Sequence, residues 1–518
     1  MTEMEKQLLA TINSLTDQIS AQTEQMDAQA MRLEEQAAMI KHLNEQVESL
    51  LRKRYGTSSE KTPKKNARLE GNGKKQAKVV QGARPRPRPK GHKSASMEHL
   101  DSVDTLIALS ENEAMCESCG QEMTPTGKKF IRSQVRFIPA RLVREDLYVE
   151  TRKCSCHDDS IESQPFAQAA PPKLPVQRSV ATPSLIARIA YQKFDMGLPL
   201  YRQSRDWKQS GFRIERRRMA GWLNICSRDW LLPLHEALRL ELVKNGVLHA
   251  DETPYQILDR SDGKPATSES RIWGLRTSKE ADRPIIWFHS NLTRKKEVAQ
   301  SILDGFQGYL LCDGYQAYRN IPGITPVGCW AHARRKFEEI AKEEGAGVAG
   351  KALEFCNRIF SLERKWGRLS PEERLSKRQE ETLPVLISFF NWLEGIQTMK
   401  GKLGLAVNYA INYKEDLMVF TKDGRLEASN NLMEGSIRPT VIGRKNFLFS
   451  QSEEGAEANA VFYTLVESAK ANGLDPQLYL AHLLERLPNE DKPRSQETLA
   501  KYFPWSMSVQ EVCARTCV

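Results

Sequence analysis

No run of 18 consecutive apolar residues occurs in the 518-residue chain, so no segment reads as a transmembrane helix. Residues Met1–Leu15 lack the sustained apolar block of a secretory signal. These absences predict a cytoplasmic, nucleoid-associated protein with no membrane partner. Proline and glycine are missing from the first fifty residues, so nothing there breaks a long helix. Acids are scarce in 52–93, where only Glu60 and Glu70 oppose 15 Lys or Arg. That segment is locally +13, which leaves the remainder about −3 within a whole-chain charge of +10. A basic block this concentrated points to a polyanion, most simply nucleic acid. Cysteines number ten, and in the cytosol they read as reduced thiols or metal ligands rather than disulfides. Six of them (Cys226, Cys312, Cys329, Cys356, Cys513, Cys517) stand isolated and read as small packing residues.

What is present divides the chain into a multidomain α+β protein, since its length exceeds one compact core. Ile12, Ile19, Met26, Leu33, Ile40 and Val47 fall seven apart, with Leu8, Leu15, Leu43 and Leu50 in companion positions. This narrow stripe predicts a coiled coil over 1–51 that makes the protein a homo-oligomer. Residues 52–100 read as a basic flexible linker. Within it Arg84-Pro-Arg86-Pro-Arg88-Pro forms an extended cationic strip fit to follow phosphates. In 101–165, Cys116-Glu-Ser-Cys119 and Cys154-Ser-Cys156-His157 supply the four ligands of a structural zinc site, with Cys156 or His157 as the fourth. Residues 178–246 read as helices. There a helix from Leu200, a turn at Gly211 and a basic helix carrying Arg216, Arg217 and Arg218 outline a helix-turn-helix or a plain bundle.

From Val247 the pattern changes to short apolar strands at Val247–Leu258, Arg271–Arg276 and Ile285–His289, then a helix at Lys295–Leu303 and a strand at Gly308–Gly314. Three hairpin-linked strands, a helix and another strand predict a ribonuclease-H-like α/β core (247–340 and 426–485). A helical insertion (341–425) divides it, and a tail (486–518) follows. In that order Asp251, in the first strand, lies beside Asp313, which ends the fourth. Neighbouring carboxylates repel unless a cation joins them, so the pair points to a divalent metal. A third acid belongs on a later helix, and Glu434 in Asn430-Asn-Leu-Met-Glu-Gly is the best candidate.

His249-Ala-Asp-Glu-Thr-Pro, Cys312-Asp-Gly-Tyr, Cys329-Trp-Ala-His332-Ala-Arg-Arg-Lys-Phe, Gly443-Arg-Lys-Asn-Phe-Leu-Phe and Lys470-Ala-Asn-Gly-Leu-Asp-Pro resemble transposases of the insertion sequence 66 family. The resemblance implies that Asp251, Asp313 and Glu434 form a DDE triad holding Mg²⁺ or Mn²⁺. It also implies 3′-end cleavage at terminal inverted repeats, strand transfer into target DNA, and small accessory proteins as partners. Arg334, Arg335, Arg438, Arg444 and Lys445 are candidate phosphate contacts, with solvated surface charge as the plainer reading. The Cys329–His332 pair matches a C-x-x-H signature of several DDE families and has either a packing or a catalytic role. Two residues depart from the family pattern: Ser429 replaces an Asp before the two asparagines, and Gly435 replaces the Arg after the Glu. The rival readings are a ribonuclease-H-like nuclease without strand transfer and a catalytically impaired zinc-bearing DNA-binding protein.

If the cysteine pairs hold zinc, elemental analysis should find about one zinc per chain. Cys116→Ser should lose it, and an unchanged zinc content in that variant would remove these cysteines from the site.

Overall fold

A computed structural model describes residues 171–515, apart from 268, 346 and 397–400, with scattered residues from 142 to 168. The expected coiled coil and basic linker, with Arg84, Arg86 and Arg88, lie outside the described residues. So do Cys116, Cys119, Cys154, Cys156 and His157. Within the expected zinc module the described residues are Leu142, Arg144, Asp146, Leu147, Tyr148 and β1 (Thr151–Lys153), which pairs antiparallel with β2 (Phe166–Gln168) just beyond the module.

Local signals decide where the first helices begin and turn. The Thr182 hydroxyl accepts from Leu185 N and starts α1 (Pro183–Phe194), with proline in the first turn, where its missing N–H costs nothing. α2 (Leu200–Gln209) and α3 (Arg216–Cys226) join through Gly211 at φ +86°, a conformation that favours glycine. Ser204 Oγ donates to Ile214 O (2.6 Å), and the buried Gln203 Nε2 donates to Ile189 O and Leu198 O, which together fix the helix pair. α3 passes through a π-turn at Ser227–Leu231 into α4 (Leu232–Leu242).

A five-stranded mixed sheet follows. It contains β3 (Val247–Pro254), β5 (Arg271–Thr277), β6 (Ile286–Asn291), β7 (Gly308–Cys312) and β8 (Ile324–Gly328), in the order β6-β5-β3-β7-β8. The first three are antiparallel. α5 (Lys296–Ile302) then carries the chain to the other side of β3, where β7 and β8 pair in parallel. The single strand expected over 247–258 is divided at Tyr255. β4 (Gln256–Asp259) leaves the sheet and pairs in parallel with β9 (Phe449–Ser452), after the Tyr255 N–H has made a last bond to Ser270 O (2.8 Å). β8 gave no sequence signal: it is five residues long and contains Pro326.

α13 (Glu453–Ala471) lies along β6 and closes the sheet edge with hydroxyl groups instead of another strand. Phe288 N donates to Thr464 Oγ1 (2.9 Å) and Ile286 N to Ser468 Oγ (3.0 Å), which satisfies groups that an open edge would expose. One apolar core joins α1–α4, the sheet, α13 and α14 (Pro476–Arg486) around Phe194, Trp273, Trp287 and Phe462. A second lies beneath β7, β8 and the inserted helices, around Trp330, Phe337, Phe389 and Phe390. Those helices are α6 (Trp330–Glu344), α7 (Gly347–Lys365), α8 (Pro371–Lys377), α9 (Leu383–Glu394), α10 (Gly401–Asn412) and α11 (Lys414–Met418). The chain returns to the sheet as α12 (Asn431–Phe447) and ends in two short helices, α15 (Gln496–Ala500) and α16 (Met507–Cys513). No described helix is long and apolar enough to cross a membrane.

Gly308 opens β7 at φ +143°, and a Cβ there would lie 2.2 Å from Gly246 O. Gly308→Ala should therefore cost roughly 2–4 kcal/mol of stability, from backbone strain and a clash that backbone must absorb. Gly263→Ala, at φ +67° with nothing near its Cβ, should cost about 1 kcal/mol. Equal losses for the two in chemical denaturation would refute the steric account.

Candidate active site

Strand alternation puts His249 and Asp251 on one face of β3, the face on which the start of α12 sits. β7 pairs with β3 from Val247 opposite Tyr309 to His249 opposite Leu311, and the same offset brings Asp313 across from Asp251 just beyond the strand. Asp251 Oδ1 accepts from Glu252 N (2.9 Å), and Asp313 Oδ1 accepts from Tyr315 N (3.0 Å). Glu434 enters from the first turn of α12. Gly274, the register partner of Asp251 in β5, makes room for that helix: a Cβ there would lie 2.2 Å from Met433 Cε. From α6, Arg335 Nη2 reaches Glu434 Oε2 (3.4 Å) and His332 Nε2 lies 3.7 Å from Glu434 Oε1.

The electrostatics of this face are dominated by negative charge. Burial, then Glu252, then Asp313 and Glu434 push the Asp251 carboxyl up to about 7, against a single opposing hydrogen bond from Glu252 N. Glu252 is a fourth carboxylate, which the sequence reading did not assign. Burial and Asp313 raise it above the usual carboxylate range, although Arg294 Nε (2.6 Å) and the Tyr318 hydroxyl (3.1 Å) both donate to it. Arg294 stacks 3.7 Å from the centre of the Tyr315 ring, which holds it over the loop carrying Asp313. His249 is tied on both ring nitrogens, to Asn430 Oδ1 and Glu427 Oε2 at 2.9 Å each. His249 and Glu252 flank Asp251 in the motif His249-Ala-Asp-Glu252, which was the signal available for them. Glu427 and Arg294 had none.

Two ligand sets share Glu434. Asp251, Asp313 and Glu434 offer hard oxygen donors, which suit Mg²⁺ or Mn²⁺. Their mutual repulsion at Asp251, and a buried Glu434 Oε1 without a hydrogen-bond partner, fit a cation in this place. Among the described residues, the group whose ligand atoms all lie within 4.8 Å of one another is Cys329, His332 and Glu434, not the three acids. The Cys329 sulfur, however, accepts from Asn430 N (3.2 Å), and burial pushes its thiol up, which disfavours the thiolate a metal requires.

The candidate phosphate contacts fall into two groups. Arg334 pairs with Glu338 (2.7 Å) and Asn357 (3.0 Å), while Arg444 donates to Thr253 Oγ1 (3.2 Å) and Pro254 O. Arg335 is shared with Glu434, and Arg438 and Lys445 face solvent along α12.

Residues 178–458 match the model of the family described as Transposase IS66 family, and 464–505 match the IS66 C-terminal element. Three relatives from Sinorhizobium fredii (strain NBRC 101917 / NGR234) are similar. Uncharacterized protein y4qI is 31% identical over 357 residues, covering 65% of this chain and 65% of its own length. Uncharacterized protein y4hP is 28% identical over 436 residues, 78% of this chain and 75% of its own. Uncharacterized protein y4jD is 26% identical over 479 residues, 82% of this chain and 93% of its own.

A carboxyl raised in the folded state above its unfolded value near 3.9 stabilises the fold at low pH and loses that contribution as pH rises through about 7. Without metal, Asp251→Asn should therefore match the wild type in melting temperature near pH 4 and exceed it by several degrees at pH 8. Thermal melts in EDTA at both pH values test this, and a difference that does not grow with pH would refute the charge clash.

Proposed function

The chain belongs to the IS66 transposase family, and from this premise we propose that it frees the 3′ ends of an insertion sequence and joins them to target DNA. The observation that carries this reading is a buried Asp251 on which Glu252, Asp313 and Glu434 converge; burial first, and then these neighbours, push its carboxyl up to about 7. A face so rich in acid cannot approach a DNA phosphate without added positive charge. The strand order, with the acids on β3, just after β7 and on α12, supports a ribonuclease-H-like core over 247–340 and 426–485.

In this reading Asp251, Asp313 and Glu434 would hold Mg²⁺ or Mn²⁺, which supplies charge neutralisation and Lewis acidity at the scissile phosphate when bound. Asp251 gives up its proton as that positive charge arrives. Glu252 stays committed to Arg294 and Tyr318 and so keeps its charge localised. Arg335 stands beside Glu434 and turns to a phosphate once the acid has another partner. Water attacks one phosphodiester, leaving a 3′-hydroxyl and a 5′-phosphate. That hydroxyl then attacks a target phosphodiester, with a second 3′-hydroxyl as leaving group. No covalent link between protein and DNA is needed.

Binding draws on a wider basic surface. On α2, α3 and their turn, Arg202, Arg205, Lys208, Arg213, Arg216, Arg217 and Arg218 are all exposed, against Asp206 and Glu215. This supports DNA recognition by 178–246 as a helix-turn-helix. We assign oligomerisation to 1–51, further phosphate contact to Arg84, Arg86 and Arg88, and structural zinc to 101–165. Accessory proteins of the element would join the assembly.

The test is incubation of purified protein with labelled DNA carrying the terminal repeats of its element, in Mg²⁺ or EDTA, beside Glu434→Gln. Metal-dependent nicking at the 3′ ends should fall by roughly 100-fold or more in the variant. Terminal binding without cleavage, even in Mn²⁺, would favour the impaired DNA-binding protein. Absence of terminal binding would sink the transposase assignment.

A further inference from the structure

We propose that the end of α12 is a wedge that enters a base step of bound duplex DNA, with Leu448 and Phe449 as its tip. The proposal rests on the transposase reading and extends it to a surface outside the acidic cluster.

Glu434, Arg438, Ile442 and Lys445 recur at intervals of three or four residues, so they share one face of α12. Arg438, Ile442 and Lys445 on that face are exposed. The face therefore runs from the candidate catalytic acid, over two exposed cations, to the helix end.

That end is unusual. Helices commonly finish on a glycine with positive φ, but here the position is Leu448, at φ +63° and ψ −53°. This is close to the rare, strained γ-turn geometry. The Leu448 N–H is held on Arg444 O (2.9 Å), and its side chain is thrown outward, 61% exposed. Phe449 follows at 40% exposure, and Ile442, nearly two turns earlier, at 50%. Strain that presents an apolar side chain to water brings the free protein no packing gain, and such outliers gather at functional sites.

The tip is rigidly seated. Phe449 pairs its backbone with Gln256 in β4, and Arg444 bonds Thr253 and Pro254 at the end of the strand that carries Asp251. On the other side Asn446 Nδ2 donates to Gly197 O (2.8 Å), beside the exposed Met196. An apolar tip on a cationic track fits a polyanion whose stacked bases can part, as minor-groove wedges do. Fourteen residues of helix separate Glu434 from Leu448, about 21 Å. At 3.4 Å per nucleotide of strand, the opened step lies about six nucleotides from the cut phosphate.

The experiment places 2-aminopurine singly at the fourth to eighth positions from the cleavage site in terminal-repeat duplexes, and adds full-length protein in Ca²⁺, which offsets the acidic charge as the duplex approaches. Fluorescence should rise about two-fold or more near the sixth position, as the base loses its stack. Leu448→Gly relieves the backbone and should melt no lower than wild type. It and Phe449→Ser should each bind the duplex but lose that rise. Binding without any rise, or a rise both variants keep, overturns the wedge and leaves the transposase reading standing. No binding by the wild type overturns both. A change of oligomeric state in the variants, with the rise intact, would assign the patch to a second copy of the chain instead.

Discussion

His249 is fully buried in β3, and its ring nitrogens face Asn430 Oδ1 and Glu427 Oε2 at 2.9 Å each. Asn430 Nδ2 donates to Ala250 O (2.8 Å), which fixes the orientation of its amide, and Asn430 N donates to Cys329 Sγ. One small network thus joins the strand carrying Asp251, the start of the helix carrying Glu434, and the start of the helix carrying His332 and Arg335. Burial works to raise the Glu427 carboxyl, but His249 and the Lys279 N–H and ammonium together outweigh this and hold it below the usual range. Losing any partner would leave a buried polar group unsatisfied, at about 1–3 kcal/mol, and would loosen three elements together.

The inserted helices buttress this network. Arg378, fully buried in a π-turn, pairs with Glu363 and donates to the carbonyls of Phe420, Asp423 and Leu426. Arg374 does the same for Gly424 and Leu369 and pairs with Glu280. These guanidinium groups satisfy the irregular backbone that delivers Glu427 and Asn430. A further tie holds the loop after β7, where the Tyr413 hydroxyl donates to Gly314 O (2.5 Å) and Arg319 pairs with Asp416. The insertion therefore positions the segments carrying both Asp313 and Glu434.

Such rigidity is needed because the acids would otherwise separate. Their repulsion is borne by a frame whose bonds lie outside the charged groups themselves. The two departures from the family pattern leave that frame intact. Asn430, not Ser429, makes the bonds to β3, and Gly435 faces open space with no atom within 4 Å of where its Cβ would stand. A glycine there weakens the first turn of α12 but displaces nothing.

Apart from β8 and the division of the first strand at Tyr255, the sequence by itself determined the secondary elements around the site and the positions of Asp251, Asp313 and Glu434 within them. Both are written in local periodicity and in motifs a few residues long. It also carried His249 and Glu252, inside one such motif, without their roles. Tertiary structure alone decided which groups meet. Arg294 and Glu252 are 42 residues apart in the chain, and His249 and Glu427 are 178 apart. The hydroxyl-capped edge of β6, the departure of β4 to pair with β9, and the buttressing arginines also depend on distant partners. Periodicity reports which face of an element is buried. What lies against that face follows only from the packing of the whole chain.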